Sequence, residues 1–172
     1  IRGDLNATRE NPAAYKKHVL PVIAKGNAYT WFHHGLLDVS TGQHGKDPNF
    51  TEPTFEALYE ATYGVAPNGD FYDAYKLVKS WRDALQKAFW VNKGNPNKDK
   101  LVAALNKMIQ DPESVAAIEK KVGKYEWRTG ADGDAAVRTL KSFITPKALK
   151  TLADFKSDQL GYNTVYKEEL TQ

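Results

Sequence analysis

Proline directly after a helix-capping residue marks three helix starts in this 172-residue chain, at Asn11-Pro12, Asp111-Pro112 and Thr145-Pro146. Asn, Asp and Thr side chains accept hydrogen bonds from the free N–H groups of a first helical turn. Proline fits the first helical position because no N–H donor is needed there. Glycine ends three of the apolar-periodic segments, at Gly26, Gly64 and Gly123. The chain must therefore be rich in helices.

Apolar residues at helical spacing predict seven helices. They cover 12–25, a short segment from 54 to 64, a longer amphipathic run over 70–85, and four helices near 101–109, 112–122, 134–143 and 146–155. One face of the long run is expected to turn inward, and it carries Phe71, Ala74, Tyr75, Val78 and Leu85. Trp81 lies off this stripe, which makes it a candidate exposed contact for a partner.

Few segments are typical of strands. Ala28–Phe32 and Ala88–Val91 are rich in β-forming residues, Tyr125–Arg128 is a further candidate, and 40–48 has loop composition throughout. Strands separated by helices indicate α/β layers with parallel connections. We predict an α/β fold that is helix-rich with few strands, with a hinge at Ala88–Val91. We expect the strands that complete its sheets to lie outside this sequence.

Composition narrows the function classes. The chain has no cysteine, so disulfides and thiolate metal sites are excluded, and it contains no run of about 20 apolar residues and no leader-like N-terminus. The net charge of +3 is scattered along the chain, as on solvated helix faces. These features predict no nucleic-acid partner.

Candidate catalytic and metal-binding residues are sparse. Adjacent His33 and His34 on a strand point to opposite faces, so they do not chelate one metal ion together, and His44 stands apart from them. Glu56 and Glu60 fit the solvent edge of a helix. Asp70 and Asp73 offer closely spaced carboxylates, but no nucleophile elbow, phosphate loop or dinucleotide fingerprint is present. We predict neither enzyme activity nor a cofactor nor a metal site.

The loop Gly3–Asn11 leads directly into the helix that begins at Pro12. A helix start presents unpaired N–H groups and the positive end of the helix dipole, which favours an anion in front of it. If this loop lines a binding site, we expect the opposite wall to be encoded upstream. The chain is then the second half of a larger protein.

Four segments resemble one family, the extracytoplasmic receptors of tripartite tricarboxylate transporters, which are two-lobed periplasmic binding proteins. The first two are Gly3–Ala13 and the Asp-Pro…Phe…Pro-Thr segment Asp47–Phe55. The others are the crossing strand and turn Phe89–Pro96, and Leu101–Met108 followed by Asp111-Pro112-Glu113. They occur in the order of the family. Asn95 replaces the usual Thr of the turn, His33 and His34 depart from the family pattern, and the resemblance covers only the C-terminal half of a family member.

The resemblance implies the C-terminal half of a type II-like periplasmic binding protein. Residues 1–90 would form part of the second lobe with the ligand-facing loop, and 91–172 would be C-terminal helices returning to the first lobe. Asn6, Thr8 and Arg9 would bind the ligand, since an amide, a hydroxyl and a guanidinium satisfy carboxylate oxygens.

The implied protein is a periplasmic bacterial receptor that captures a small carboxylate. Its implied partners are that carboxylate, an N-terminal lobe of the same protein or of another chain, and membrane transporter subunits. The alternative is a truncated receptor fold that acts as a structural or interaction subunit of a larger periplasmic or membrane-associated complex. In that case another chain would cover its exposed sheet edge and inter-lobe surface.

Overall fold

A computed structural model describes residues 10–85 and 88–162. Most of this part is helical. The first helical stretch comprises α1 (Pro12–Ala14), a π-helical turn (Tyr15–Val19) and α2 (Leu20–Ile23). Two strands, β1 (Leu36–Asp38) and β2 (Gln43–Gly45), precede α3 (Phe55–Tyr63), α4 (Asp70–Leu85), α5 (Lys98–Ile109), α6 (Pro112–Val122), α7 (Gly130–Ser142) and α8 (Pro146–Leu160). No helix within 10–85 and 88–162 is long and apolar enough to cross a membrane.

The three helix starts predicted from a capping residue followed by proline are confirmed. Asn11 Oδ1 accepts from the Ala14 N–H at 3.0 Å, Asp111 accepts from the second and third residues of α6, and Thr145 Oγ1 accepts from the Ala148 N–H at 3.1 Å. In each case proline occupies the first helical position. The predicted start of α7 near 134 was four residues late, because this helix already begins at Gly130.

The first helical stretch is not a uniform α-helix. Its middle turn, Tyr15–Val19, has π-helical hydrogen bonding, and the Leu20 N–H donates to the Tyr15 carbonyl. Pro21 follows at once. Because proline has no N–H and its ring crowds the carbonyl four residues earlier, a widened turn before it relieves the clash. This proline is the physical reason for the bulge.

The strand positions predicted from β-forming residues were wrong. Ala28–Phe32, Ala88–Val91 and Tyr125–Arg128 form no strand, whereas the segment predicted as loop contains β2. β1 and β2 form an antiparallel hairpin with Leu37 opposite His44, and a single parallel bridge joins His33 to Thr54. The chain is helix-rich with a small sheet, as predicted, but the strands of the described residues are antiparallel rather than parallel.

The chain divides into two compact units, each discontinuous in sequence. Within the described residues, unit 1 comprises 10–31 and 92–129, and unit 2 comprises 32–85, 88–91 and 130–162. The chain thus passes from one unit to the other at 31/32, 91/92 and 129/130. The passage at 91/92 directly follows Ala88–Val91, where we predict the hinge. The domain ranges 1–90 and 91–172 stay predictions.

Unit 1 contains the first helical stretch together with α5 and α6. α5 packs on α6, α1 also contacts α6, and the Tyr15 hydroxyl lies 2.6 Å from the Thr30 hydroxyl. Thr129 donates a hydrogen bond to Asn106. None of the described residues of unit 1 is fully buried. The apolar faces of its helices therefore stay partly open to solvent.

Unit 2 contains the hairpin with α3, α4, α7 and α8, and it holds the fully buried residues. Its apolar core consists of Leu37, Ala74, Leu77, Ala136, Leu140, Ala148 and Ala153. The four alanines let α7 and α8 approach α4 closely. The predicted inward face of α4 is only partly right, because Phe71 and Val78 are exposed and the buried positions include Lys79 and Ser80. Trp81 is exposed, as predicted.

Candidate functional site

The residues predicted to bind the ligand, Asn6, Thr8 and Arg9, lie outside the described residues. The helix start that follows them is visible. Pro12 has no N–H, and the Ala14 N–H is bonded to the Asn11 side chain. Of the first three helical residues, at most Ala13 could offer a backbone N–H to an anion. The helix start by itself therefore offers little to an anion.

The described residues bring together a polar cluster on the buried side of α4. This α4 cluster consists of Lys79, Ser80 and Asp83 of α4, His44 of β2 and Glu56 of α3. All five belong to unit 2. Buried polar side chains are normally hydrogen-bonded, so those that are not deserve a physical explanation.

Lys79 and Asp83 form a buried ion pair of poor geometry. Lys79 Nζ lies 3.7 Å from Asp83 Oδ2, and the exposed fractions of the two side chains are 3% and 13%. Neither atom has a hydrogen-bond partner among the described residues. Burial lowers the pKa of Lys79 to about 8 against the attraction of Asp83, and it raises the pKa of Asp83 to about 6 against the attraction of Lys79. Both groups carry charge near neutral pH, at a cost in desolvation.

His44 connects the hairpin to α4. Its Nε2 lies 3.2 Å from the Ser80 hydroxyl, and its ring lies against that of Phe143, the residue after α7, with centroids 6.1 Å apart. Burial, with the positive charges of Lys79 and Lys76 as smaller causes, lowers the pKa of His44 to about 4. His44 is therefore neutral at pH 7. Ser80 is completely buried, so a substrate does not reach its hydroxyl, and this Ser–His pair is structural.

Glu56 does not lie on the solvent edge of α3, contrary to the prediction. Its Oε1 accepts from the Tyr72 hydroxyl at 3.2 Å, and its Oε2 is buried without a hydrogen-bond partner among the described residues. Burial, followed by the negative charge of Glu56, raises the pKa of Tyr72 to about 12. Glu60 is exposed, as predicted. The two carboxylates therefore have different environments on one helix.

His33 and the loop after β2 form a second buried polar feature. His33 Nδ1 accepts from the Gly35 N–H at 2.9 Å, which places the proton of the neutral ring on Nε2. The ring stacks on Phe50 at 5.3 Å, and burial lowers the pKa of His33 although Asp47 favours its charged form. Asp47 is also buried, and its Oδ1 accepts from both the backbone and the side-chain nitrogen of Asn49 at 2.8 Å.

An open groove of about 520 Å³ lies between the end of the hairpin and the start of α3. It is lined by His44, Gly45, Lys46, Thr51, Glu52, Pro53, Thr54 and Ala57. One ammonium group, one carboxylate and two threonine hydroxyls give it a mixed and balanced lining. The groove can hold a small polar molecule, but its shallow shape encloses none.

Metal binding has no support in this part of the chain. No group of three or more His, Cys, Asp or Glu residues within 10–85 and 88–162 could hold a metal ion. His34 instead shares a hydrogen bond of 2.9 Å with the Tyr75 hydroxyl. Asp70 pairs with Lys147 at 2.6 Å and Asp73 pairs with Lys76 at 2.9 Å, so these carboxylates form surface ion pairs.

Sequence reasoning missed Lys79, Ser80 and Asp83 because a lysine and an aspartate one helical turn apart are typical of a solvated helix face. No protein-family model matches the chain, and neither the curated proteins nor the solved structures contain a significant match.

Proposed function

We propose that the chain is the C-terminal half of a periplasmic solute receptor that captures a small carboxylate for a transporter of the tripartite tricarboxylate type. The observation that carries the proposal is the division into two discontinuous units with three chain passages. Two-lobed receptors need such passages, because each lobe is assembled from separate parts of the chain. The four segments that resemble the family, in the family's order, add to this support.

The partner in this proposal is the N-terminal lobe, in the same protein or in another chain. Unit 1 has no fully buried residue among those described. The extended segments next to the chain passages carry exposed aromatic side chains, with Tyr29 83%, Phe89 75% and Trp90 70% exposed. β-forming aromatic residues are stabilised when neighbouring strands cover them. Strands of an absent lobe would supply that cover.

The ligand in this proposal is bound by Asn6, Thr8 and Arg9. Charge-assisted hydrogen bonds from the Arg9 guanidinium would hold one carboxylate, and the Asn6 amide and the Thr8 hydroxyl would complete its coordination. Because the Asn11 side chain already occupies one N–H group of the following helix start, these three side chains should contribute more of the binding energy than the helix start.

Thermal unfolding in the presence of citrate, succinate or malate tests this function. The proposal predicts a saturable rise in the midpoint of the full-length protein with at least one of the three, and none with succinamide or with sodium chloride at matched ionic strength. Arg9→Gln should abolish the shift, and Arg138→Gln, which removes an exposed arginine of α7, should leave it intact. A flat response to all three carboxylates would contradict the proposal.

A second candidate is an interaction subunit without a ligand, and the exposed aromatic residues of the two extended segments favour it. Sedimentation of the chain purified from its native host distinguishes the two functions. An interaction subunit would sediment as a larger complex and gain no thermal stability from carboxylates. A monodisperse monomer would contradict this second candidate.

A further inference from the structure

Asn68 is the only asparagine of the chain that is followed by glycine. Asn68 and Gly69 are both exposed, and they lie in the connection between α3 and α4, outside any helix or strand. The side-chain amide carbon of an asparagine, Cγ, can bond to the backbone nitrogen of the next residue and close a five-membered succinimide ring. Asn68 therefore carries its own potential reaction partner in a part of the chain that solvent reaches.

Gly69 offers a backbone nitrogen that little obstructs. Its N–H donates no hydrogen bond to any residue within 10–85 and 88–162. Glycine has no Cβ to crowd the attacking nitrogen, and at this position a Cβ would meet no atom within 4 Å. The Asn68 side chain is held by one hydrogen bond, from Nδ2 to the Ala66 carbonyl at 3.1 Å, which leaves Cγ itself exposed to attack.

We propose that Asn68 is a site of spontaneous deamidation. The Gly69 nitrogen loses its proton to solvent and bonds to Asn68 Cγ, while the bond from Cγ to Nδ2 breaks and ammonia leaves. Water then opens the succinimide at one of its two carbonyl carbons. Opening at Cγ gives aspartate, and opening at the backbone carbonyl carbon gives isoaspartate. The sum consumes one water and releases one ammonia, and it does not depend on the proposed transport function.

The two products should affect the start of α4 differently. The Gly69 carbonyl accepts the Asp73 N–H at 3.0 Å and so closes the first turn of this helix. Aspartate leaves the backbone unchanged and adds a negative charge near the positive end of the helix dipole. Isoaspartate carries the backbone through the former side chain, which inserts one extra carbon directly before Gly69. Isoaspartate should therefore loosen the first turn, whereas aspartate should not.

The first turn of α4 also contacts α8. Asp70 pairs with Lys147 at 2.6 Å, and the ring of Phe71 lies edge-on to that of Phe155 with centroids 6.5 Å apart. A displaced first turn weakens both contacts. The modification at Asn68 thus changes a helix contact of unit 2 slowly and in one direction, because the released ammonia is lost to solvent.

Incubation of the full chain in neutral buffer, followed by peptide mapping with electron-transfer fragmentation, tests the modification. Asn68 should convert to aspartate and isoaspartate before any other asparagine of the described residues, at a rate close to that in the urea-unfolded chain. Asn27 is the internal control, because it is also exposed but is followed by Ala28, whose Cβ hinders the attack. Equal conversion of Asn27 and Asn68, or an Asn68 that stays intact while the unfolded chain reacts, would overturn the proposal.

Hydrogen exchange of the separated products tests the effect on α4. The isoaspartate form should lose protection at the Asp73 amide, and Asn68→Asp, which reproduces the other product, should keep it. Asn68→Gln is the matched control, because its longer side chain must close a six-membered ring and reacts far more slowly. It should retain both its mass and its protection during the incubation. An isoaspartate form with full protection at Asp73 would overturn the proposed effect on α4.

Discussion

Two residues of unit 2 should change the free energy of unfolding in opposite directions when the pH falls, and His44 is the first of them. Its pKa is about 4 in the folded protein and 6.5 when hydrated. Because the folded-state pKa is depressed, its contribution to stability is complete above pH 6.5 and is lost as the pH falls towards 4. From pH 7 to pH 4.5, protonation of His44 should lower the free energy of unfolding by about 2 kcal/mol.

Asp83 supplies the second term, with the opposite sign. Its pKa is raised from 3.8 to about 6. A group with a raised folded-state pKa contributes stability that is complete below the unfolded value and is lost as the pH rises through the folded value. Between pH 7 and pH 4.5, protonation of Asp83 should add about 2 kcal/mol. In the unmodified protein these two changes in the free energy of unfolding nearly cancel. Its stability measured against pH therefore reveals neither of them.

His44→Gln reveals the cancellation, because glutamine can still bond Ser80 but does not titrate. Measured by urea unfolding, the stability of this variant relative to the unmodified protein should rise by about 2 kcal/mol between pH 7 and pH 4.5. Asp83→Asn should show the reverse trend. His18→Gln, at an exposed histidine of the first helical stretch, is the control and should show no such trend. A His44→Gln difference that is equal at both pH values would refute the reasoning.

Two further predictions concern packing. Leu140→Ala opens a cavity at a fully buried position of α7, and it should lower the free energy of unfolding, measured by urea titration, by about 2–5 kcal/mol. Val137→Ala, at an exposed position of the same helix, is the control and should lower it by less than about 1 kcal/mol. Gly35 has φ +73°, and a Cβ there would lie 2.2 Å from the Gly45 carbonyl oxygen. Gly35→Ala should therefore disrupt the hairpin, seen as loss of hydrogen-exchange protection. Gly26 has a similar φ of +71°, but a Cβ there would meet no atom within 4 Å. Gly26→Ala should therefore lower the free energy of unfolding by only about 1 kcal/mol. Equal effects of the two substitutions would contradict the clash predicted at Gly35.

The helices could be predicted from sequence because their ends are decided locally. Thr54, Asp111 and Thr145 each bond N–H groups two or three residues further on, and Gly64 and Gly161 end their helices with positive φ. These interactions depend on neighbours in sequence, so no knowledge of the tertiary structure is needed.

The strands could not be predicted because a strand exists only with a partner. Aromatic and β-branched residues favour Ala28–Phe32 and Ala88–Val91, but no neighbouring strand pairs with either segment among the described residues. Conversely, the hairpin is held by its Leu37–His44 register and by the Thr139 hydroxyl, which donates to the Val39 carbonyl at 2.7 Å from a position 100 residues away. Such contacts leave little trace in local composition.

The burial of the α4 cluster also depends on contacts between residues far apart in sequence, so the sequence of α4 alone does not reveal it. α4 contacts β1, α7 and α8 and bonds α3 through Tyr72, so few of its faces are left for its charged residues. A hydrophobic pair at positions 79 and 83 would relieve the desolvation penalty and is often neutral or stabilising in such sites. Stability alone therefore does not account for Lys79 and Asp83.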